Sequence, residues 1–150
     1  MNKTETVKST VSEILNFIGV NPKITISENE TIDVNIEGND LNFLIGYRGE
    51  SLDALQTLVG LILFKQTGDW SRVLVDINDY RKGKQDKIEQ ITKSYIDKVR
   101  FFGKEVEMSP MSPTERRQVH VFVSAYDDII SESVGEGSSR RVVLKPKNQA

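Results

Sequence analysis

Residues 44–59 read LIGYRGESLDALQTLV, and the turn inside this stretch decides the fold prediction. Gly46-Tyr47-Arg48-Gly49 separates two helical patterns, the second covering about residues 50–66. The apolar residues of that second helix are Leu52, Leu55, Leu58, Val59, Ile62 and Leu63. Glycines let a backbone approach a ligand, and the N–H groups and positive dipole end of the second helix face the loop. The stretch therefore predicts a loop that binds a phosphate, and Arg48 adds positive charge to it. A plain corner between two helices is the alternative interpretation.

The residues on either side of this loop predict a small unit of helices and strands. Apolar residues at spacings of three and four predict a helix over 4–19: Val7, Val11, Ile14, Leu15 and Ile18. Two alternating stretches predict strands, the first with Ile24 and Ile26 and the second with Ile32, Val34 and Ile36. Asp40 is expected to cap a short helix through Ile45, and residues 72–77 form a third strand. The first unit therefore has the order α-β-β-α-α-β and ends near residue 78.

The second half of the chain begins with a helical pattern over 79–102 that carries many basic residues. Its apolar stripe is expected to be Ile88, Ile91, Tyr95, Val99 and Phe102. Val106 lies in a short strand, and Ser112-Pro113-Thr114-Glu115 has the form of a capping box that starts a helix to about Tyr126. Two strands, 128–134 and 140–145, close a β-α-β-β unit. We therefore divide the chain into 1–78, a basic connecting helix over 79–103, and 104–150.

Arg116 and His120 stand four residues apart on the predicted helix of the second unit. At about 100° per residue they lie side by side, at the edge of a buried stripe that contains Val119 and Val123, while Arg117 faces solvent. A guanidinium fork and an imidazole on one surface suit a phosphate. A histidine packed at the edge of the core is the alternative interpretation.

Composition and charge exclude several classes of protein. The chain has 150 residues, no cysteine, 37% apolar and 28% charged residues, and a net charge of −2, so it is neither a disulfide scaffold nor a disordered tail. Its longest apolar run, 58–64, is far shorter than a membrane span, and the N-terminus lacks the plan of a signal peptide. A cytoplasmic protein is expected. Charge is uneven, because residues 1–78 carry −5 and residues 79–150 carry +3.

Residues 31–77, and above all LIGYRGESLDALQTLV, resemble a KH domain with the type II order of elements. In such domains the Gly-x-x-Gly loop clamps the backbone of about four nucleotides beside an apolar groove. The resemblance implies that Gly46, Tyr47, Arg48 and Gly49 form the clamp. It also makes Ile45 and Leu52 candidates for the groove.

Residues 114–146, TERRQVHVFVSAYDDIISESVGEGSSRRVVLKP, resemble the small Arg-x-x-x-His (R-three-H) domain, which binds single-stranded nucleic acid. A KH unit, a basic helix and this domain, in that order, resemble the C-terminal part of the bacterial Jag family. Many members carry a further N-terminal domain, which this chain is expected to lack. The resemblance implies that nucleic acid is bound by Arg116, Arg117, His120, Arg140 and Arg141.

The sequence predicts an α+β protein that binds single-stranded RNA and is not an enzyme. One histidine, no cysteine and no phosphate-loop motif leave little for catalysis, and a His120 pair with Asp127 or Asp128 would need aspartates beyond the helix end. No cofactor or metal is expected. The resemblance implies post-transcriptional regulation linked to cell division and envelope growth, a small KH-only protein as partner, and no membrane insertion. A protein–protein adaptor is the alternative function, and binding of DNA and homo-oligomer formation are left open.

Overall fold

The computed structural model describes residues 2–147, which form two units, one ending at Arg81 and the other beginning at Lys82. Each unit combines helices with a three-stranded sheet. This arrangement confirms the predicted α+β class. Within the described residues, none of the helices is long and apolar enough to cross a membrane.

The first unit has the predicted α-β-β-α-α-β order. Its elements are α1 (Lys3–Ile18), β1 (Lys23–Glu28), β2 (Ile32–Glu37), α2 (Asn42–Ile45), a 3-10 turn (Tyr47–Gly49), α3 (Glu50–Thr67) and β3 (Val73–Ile77). The sheet order is β1-β2-β3, with β1 antiparallel and β3 parallel to β2, so that Val34 stands opposite both Ile26 and Val75. The parallel pair is possible because α2 and α3 form the crossover between β2 and β3.

The core of this unit lies between the sheet and the helices α1 and α3. Alternation on β2 and β3 places Ile32, Val34, Ile36, Val73, Val75 and Ile77 in the core, where they meet Val7, Val11 and Leu15 of α1 and Leu52, Leu55, Val59 and Leu63 of α3. Three residues of the predicted stripes are not in this core, and one of them, Ile62 on α3, is partly buried. Ile18 at the end of α1 and Leu58 on α3 are each 45% exposed.

The short helix α2 begins differently from the prediction. The expected cap is Asp40, but the residue before the helix is Leu41, and no side chain caps it. Asp40 instead has a left-handed backbone, with φ of +58°, which belongs to a turn and not to a helix cap. Leu41 is 3% exposed, so burial of its side chain fixes the start of α2.

The helix α4 (Tyr80–Phe102) has the predicted length but a rotated buried face. Thr92, Ile96 and Val99 are buried, whereas the predicted stripe members Ile91 and Phe102 are 39% and 62% exposed. Thr92 is tolerated in the core because its hydroxyl donates to the carbonyl of Ile88 at 2.7 Å.

The second unit continues with β4 (Val106–Glu107), α5 (Pro113–Val123), β5 (Ile129–Val134) and β6 (Arg141–Pro146), which confirms the β-α-β-β order. All pairs are antiparallel in the order β4-β6-β5. The capping box is present, because Ser112 Oγ accepts from the Glu115 N–H and Glu115 Oε2 accepts from the Ser112 N–H. The helix ends at Val123 and not near Tyr126. The apolar core cluster of this unit consists of Ile96, Val99, Met108, Val119, Val123, Ile129, Val142 and Leu144.

Candidate nucleic-acid interface

The loop of residues 46–49, here called the GxxG loop, depends on both of its glycines. Gly46 and Gly49 have φ of +72° and +79°, a region that side-chain-bearing residues rarely adopt. A Cβ on Gly46 would collide with the Ser51 hydroxyl, and one on Gly49 would lie 3.0 Å from the Tyr80 ring. The chain therefore turns within four residues and then enters α3 directly.

The two central residues of the GxxG loop point into solvent. Tyr47 is 72% exposed, and the Arg48 guanidinium lies 5.3 Å from the centre of the Tyr47 ring. Arg48 has φ of +53°, which is unusual for a residue with a side chain. The loop thus presents a cation, an aromatic ring and the N-terminal end of α3 on one exposed surface.

Ile45 and Leu52, the predicted groove residues, lie in the core of the first unit. They are 8% and 0% exposed. Open apolar surface beside the loop comes from other residues, including Phe43, which is 56% exposed. Phe43 lines a cavity of about 380 Å³ with Ile14, Ile18, Leu44, Leu55 and Leu58. A helical pattern alone does not separate a buried from a half-buried leucine, so this distinction could not be drawn from the sequence.

In the second unit the structure brings Arg116, His120 and Arg140 together, and we call these three residues the arginine–histidine edge. Arg116 Nη1 donates to the Met111 carbonyl at 2.7 Å, and Arg140 Nη1 donates to the Gly135 carbonyl at 2.8 Å. All three side chains are partly buried. Both arginines are therefore held by backbone oxygens while part of each side chain remains accessible.

Both nitrogens of the His120 ring contact serine hydroxyls of β5. Nδ1 lies 2.6 Å from Ser131 Oγ and Nε2 lies 2.8 Å from Ser133 Oγ. Burial lowers the pKa of His120, and the positive charges of Arg116 and Arg140 lower it further. A neutral imidazole, with one nitrogen donating and the other accepting, fits this setting. His120 thus packs at the edge of the core, within the electrostatic influence of Arg116 and Arg140, and its contact with a phosphate stays a prediction.

Arg117 and Arg141, which are also predicted to bind nucleic acid, lie in different surroundings. Arg117 is exposed and lines a cavity of about 480 Å³ between α4 and α5, with Glu89 and Gln118. Arg141 Nη2 lies 3.1 Å from Glu107 Oε1, and its Nη1 donates to a backbone carbonyl. Nucleic-acid binding by these two arginines stays a prediction.

The surroundings of His120 do not include the aspartates considered for catalysis. Asp128 accepts two hydrogen bonds from Arg100, at 2.7 and 2.9 Å, which hold the pKa of this carboxyl below its usual value. Over residues 2–147, no group of three or more His, Asp or Glu side chains is placed to hold a metal ion. The donor set of the site is therefore made of guanidinium, imidazole, hydroxyl and backbone N–H groups, which suit an anion.

Comparison with known proteins assigns a family model to each unit. Residues 5–77 match the model described as "KhpA/KhpB, KH domain", and residues 86–146 match the R-three-H domain. Neither description names an enzyme.

Three curated relatives are each named RNA-binding protein KhpB. The protein from Clostridium symbiosum is 34% identical over 142 residues, which cover 93% of this chain and 64% of the relative. The protein from Bacillus subtilis (strain 168) is 33% identical over 127 residues, which cover 83% of this chain and 61% of the relative. The protein from Streptococcus pneumoniae serotype 2 is 29% identical over 114 residues, which cover 76% of this chain and 35% of the relative. The chain thus spans less than two thirds of the length of these relatives.

Proposed function

We propose that this chain, which belongs to the KhpB/Jag family of proteins with a KH and an R-three-H domain, binds single-stranded RNA. The observation that carries this proposal is the GxxG loop, where Tyr47 and Arg48 project between two glycines at the start of α3. A phosphate there meets the Arg48 charge and the N-terminal end of a helix of 18 residues. The Tyr47 ring offers a surface for a sugar or a base.

The arginine–histidine edge is the second surface in this proposal. Arg116 and Arg140 are charged at every physiological pH, and His120 adds a hydrogen-bonding ring beside them. Arg117, Arg141 and the basic side chains of α4 add positive charge to a unit whose residues 79–150 carry +3. Single-stranded nucleic acid is held by such positive tracks with little dependence on base identity.

The wider role in our proposal follows from the family resemblance. The chain acts as a cytoplasmic post-transcriptional regulator linked to cell division and envelope growth, together with a small KH-only protein. Its functional parts are a KH domain (1–78), a basic connecting helix (79–103) and an Arg-x-x-x-His domain (104–150). Binding of single-stranded DNA and homo-oligomer formation are further outcomes that the same binding assays and a sedimentation measurement would reveal.

Replacement of Tyr47 and Arg48 by aspartates tests the proposal. The loop is exposed and both glycines remain, so the melting transition should be unchanged. Two negative charges beside a phosphate should weaken binding to a single-stranded RNA at least tenfold, or by about 1.4 kcal/mol. A matched control replaces Phe17 and Lys8, an exposed aromatic residue and an exposed cation of α1, by aspartates. Equal affinity of the loop variant and the unsubstituted chain would remove the loop from the mechanism.

A protein–protein adaptor is the second candidate function, and one observation favours it. The cavity beside Ile18, Phe43 and Leu58 exposes apolar side chains, and such surfaces often dock other proteins. Salt dependence separates the two functions. If RNA binding neutralises on the order of four phosphates, log K should fall with log salt at a slope of about −3. A slope near zero favours the adaptor, because the net charge of −2 gives little overall attraction to RNA.

A further inference from the structure

The cavity beside Arg117 is an open groove between α4 and α5, with a volume of about 480 Å³. All of the residues that line it belong to the unit that begins at Lys82. We call it the α4–α5 groove. Its α5 wall runs from Thr114 past Phe122, which is about 12 Å along the helix axis at about 1.5 Å per residue. The groove is therefore more than two helical turns long.

The α5 wall of the groove is a second apolar face of that helix. At about 100° per residue, Val121 lies about 140° from Arg116 around the helix axis, whereas the core residues Val119 and Val123 lie at about 300° and about 340°. Val121 is 65% exposed, and Phe122 is half-buried beside it. Helix α5 thus has apolar side chains on a face that the core of the unit does not cover.

Gln118 leaves a buried acceptor unused in the wall of the groove. Within residues 2–147, its Oε1 atom is buried and has no hydrogen-bond partner. Such an atom lowers the stability of the free protein, because its lost contact with water is not replaced. The torsion that carries the amide group is broad, so a small rotation can turn this oxygen toward a donor in the groove. The groove therefore fits an occupant that donates a hydrogen bond to Gln118.

The two walls of the groove carry opposite charges. Glu89 lines it from α4, where its Oε1 accepts from Gln85 Nε2 at 3.4 Å, and Arg117 lines it from α5. The carboxylate repels a phosphate backbone. An amphipathic helix with a cation on one side of its apolar stripe and a carboxylate on the other complements both walls. The groove therefore favours a protein segment over a nucleic acid.

We propose that the α4–α5 groove docks an amphipathic helix of a partner protein. The apolar stripe of that helix packs against Val121 and Phe122. A lysine or arginine beside the stripe pairs with Glu89 and donates to Gln118. Val121 lies about 100° from His120 around α5, so the groove and the arginine–histidine edge are on different faces of the helix, and the partner and RNA can be bound at the same time. The inference does not depend on the proposed binding of RNA.

The test uses the full chain and a displayed library of helical peptides of about 14 residues, in which one face and the positions that flank it are randomised. Selected peptides should carry large apolar residues on this face and a lysine or arginine beside them. The affinity of one labelled peptide is then measured by fluorescence anisotropy. Val121→Glu should weaken binding at least tenfold, whereas Phe101→Glu, which places the same charge at an 83% exposed residue of α4, should leave it unchanged.

Two further variants test the polar contacts. Glu89→Lys should weaken binding of a peptide that carries a lysine at the pairing position, and a peptide with glutamate at that position should regain at least part of the loss. Gln118→Leu removes the unused acceptor, so it should keep or raise the melting temperature while the affinity for the peptide falls.

Three outcomes would overturn the proposal. The first is that no peptide is enriched, or that the selected peptide binds Val121→Glu as tightly as the unsubstituted chain. The second is displacement of the peptide by a single-stranded RNA, which would make the groove part of the RNA surface. The third is self-association of the unsubstituted chain that Val121→Glu abolishes in sedimentation velocity, which would assign the groove to a second copy. None of these outcomes involves the GxxG loop, so they leave the proposed function to its own test.

Discussion

The ring of Tyr80 lies against Gly49, the last residue of the GxxG loop. A Cβ on Gly49 would lie 3.0 Å from ring carbon Cε1 of Tyr80 and 3.5 Å from its hydroxyl. Gly49 also has a φ of +79°. Backbone conformation and side-chain crowding therefore both require glycine at this position, and the first residue of α4 supports the loop.

Substitution of Gly49 by alanine should separate these two requirements. The left-handed backbone alone costs about 1–2 kcal/mol in the free energy of unfolding for a residue with a Cβ. Gly68→Ala is the matched control, because Gly68 has φ of +78° but no atom within 4 Å of a built Cβ. Urea unfolding followed by Trp70 fluorescence should show Gly49→Ala to be less stable than Gly68→Ala by about 1 kcal/mol or more. Equal losses would contradict a role of Tyr80.

The capping box at Ser112 should contribute measurably to the stability of the second unit. Ser112→Ala removes the acceptor of the Glu115 N–H, at 3.2 Å, and should lower the free energy of unfolding by about 1 kcal/mol. Ser112→Thr keeps a hydroxyl and should cost much less. Urea unfolding followed by circular dichroism compares the two variants. A threonine variant as unstable as the alanine variant would show that the cap is not the cause.

The order of elements could be predicted because periodicity and turn residues agree along most of the chain. Alternation in β2, the capping box at Ser112 and the glycines of the GxxG loop each correspond to an observed boundary. The buried face of α4 could not be predicted as well, because Thr92 is buried by means of its hydrogen bond to Ile88 while Ile91 is exposed. A hydrophobicity pattern predicts the opposite, with Ile91 buried and Thr92 exposed.

The candidate site could be predicted in part. The pair Arg116 and His120 follows from helical spacing, but the partners of His120 lie on another element. Ser131 and Ser133 are two residues apart, so both face the same side of β5, and this Ser-x-Ser pattern is the signal that could have found them. Residues of α3 and of the segment that leads into β3 line one cavity, because the chain turns back after α3 ends. A local sequence pattern does not record this tertiary contact.

Adjacent arginines of α5 should differ in their contribution to RNA binding. Arg116 belongs to the arginine–histidine edge, whereas Arg117 lies on another face of the helix, beside Glu89 and Gln118. Arg116→Ala should weaken binding of single-stranded RNA several-fold at every pH, because guanidinium stays charged. Arg117→Ala removes the same charge and serves as the control, for which we expect a smaller loss of RNA affinity. Equal losses would mean that only the total charge matters, and not the edge.

Protonation of His120 should destabilise the folded protein. Burial and the charges of Arg116 and Arg140 lower its pKa in the folded protein, so the folded state binds fewer protons than the unfolded state below about pH 6.5. The free energy of unfolding should therefore decrease as the pH falls from about 6.5 through the lower pKa of the folded state, and be independent of His120 well above about pH 7. An NMR titration of this single histidine gives its folded pKa, expected below 6.5.

His120→Gln keeps a neutral polar side chain at this position. Once the contribution that the carboxylates make in both proteins is subtracted, the free energy of unfolding of the variant should depend less on pH between about pH 7 and about pH 5. Parallel curves for the variant and the unsubstituted chain would contradict the lowered pKa.

The same NMR signal also tests the RNA contact. A phosphate placed beside the ring favours the imidazolium, so bound single-stranded RNA should raise the pKa of His120 above its value in the free protein. If saturating RNA leaves that pKa unchanged, His120 positions Ser131 and Ser133 within the fold, and the phosphate contacts of the second unit belong to its arginines.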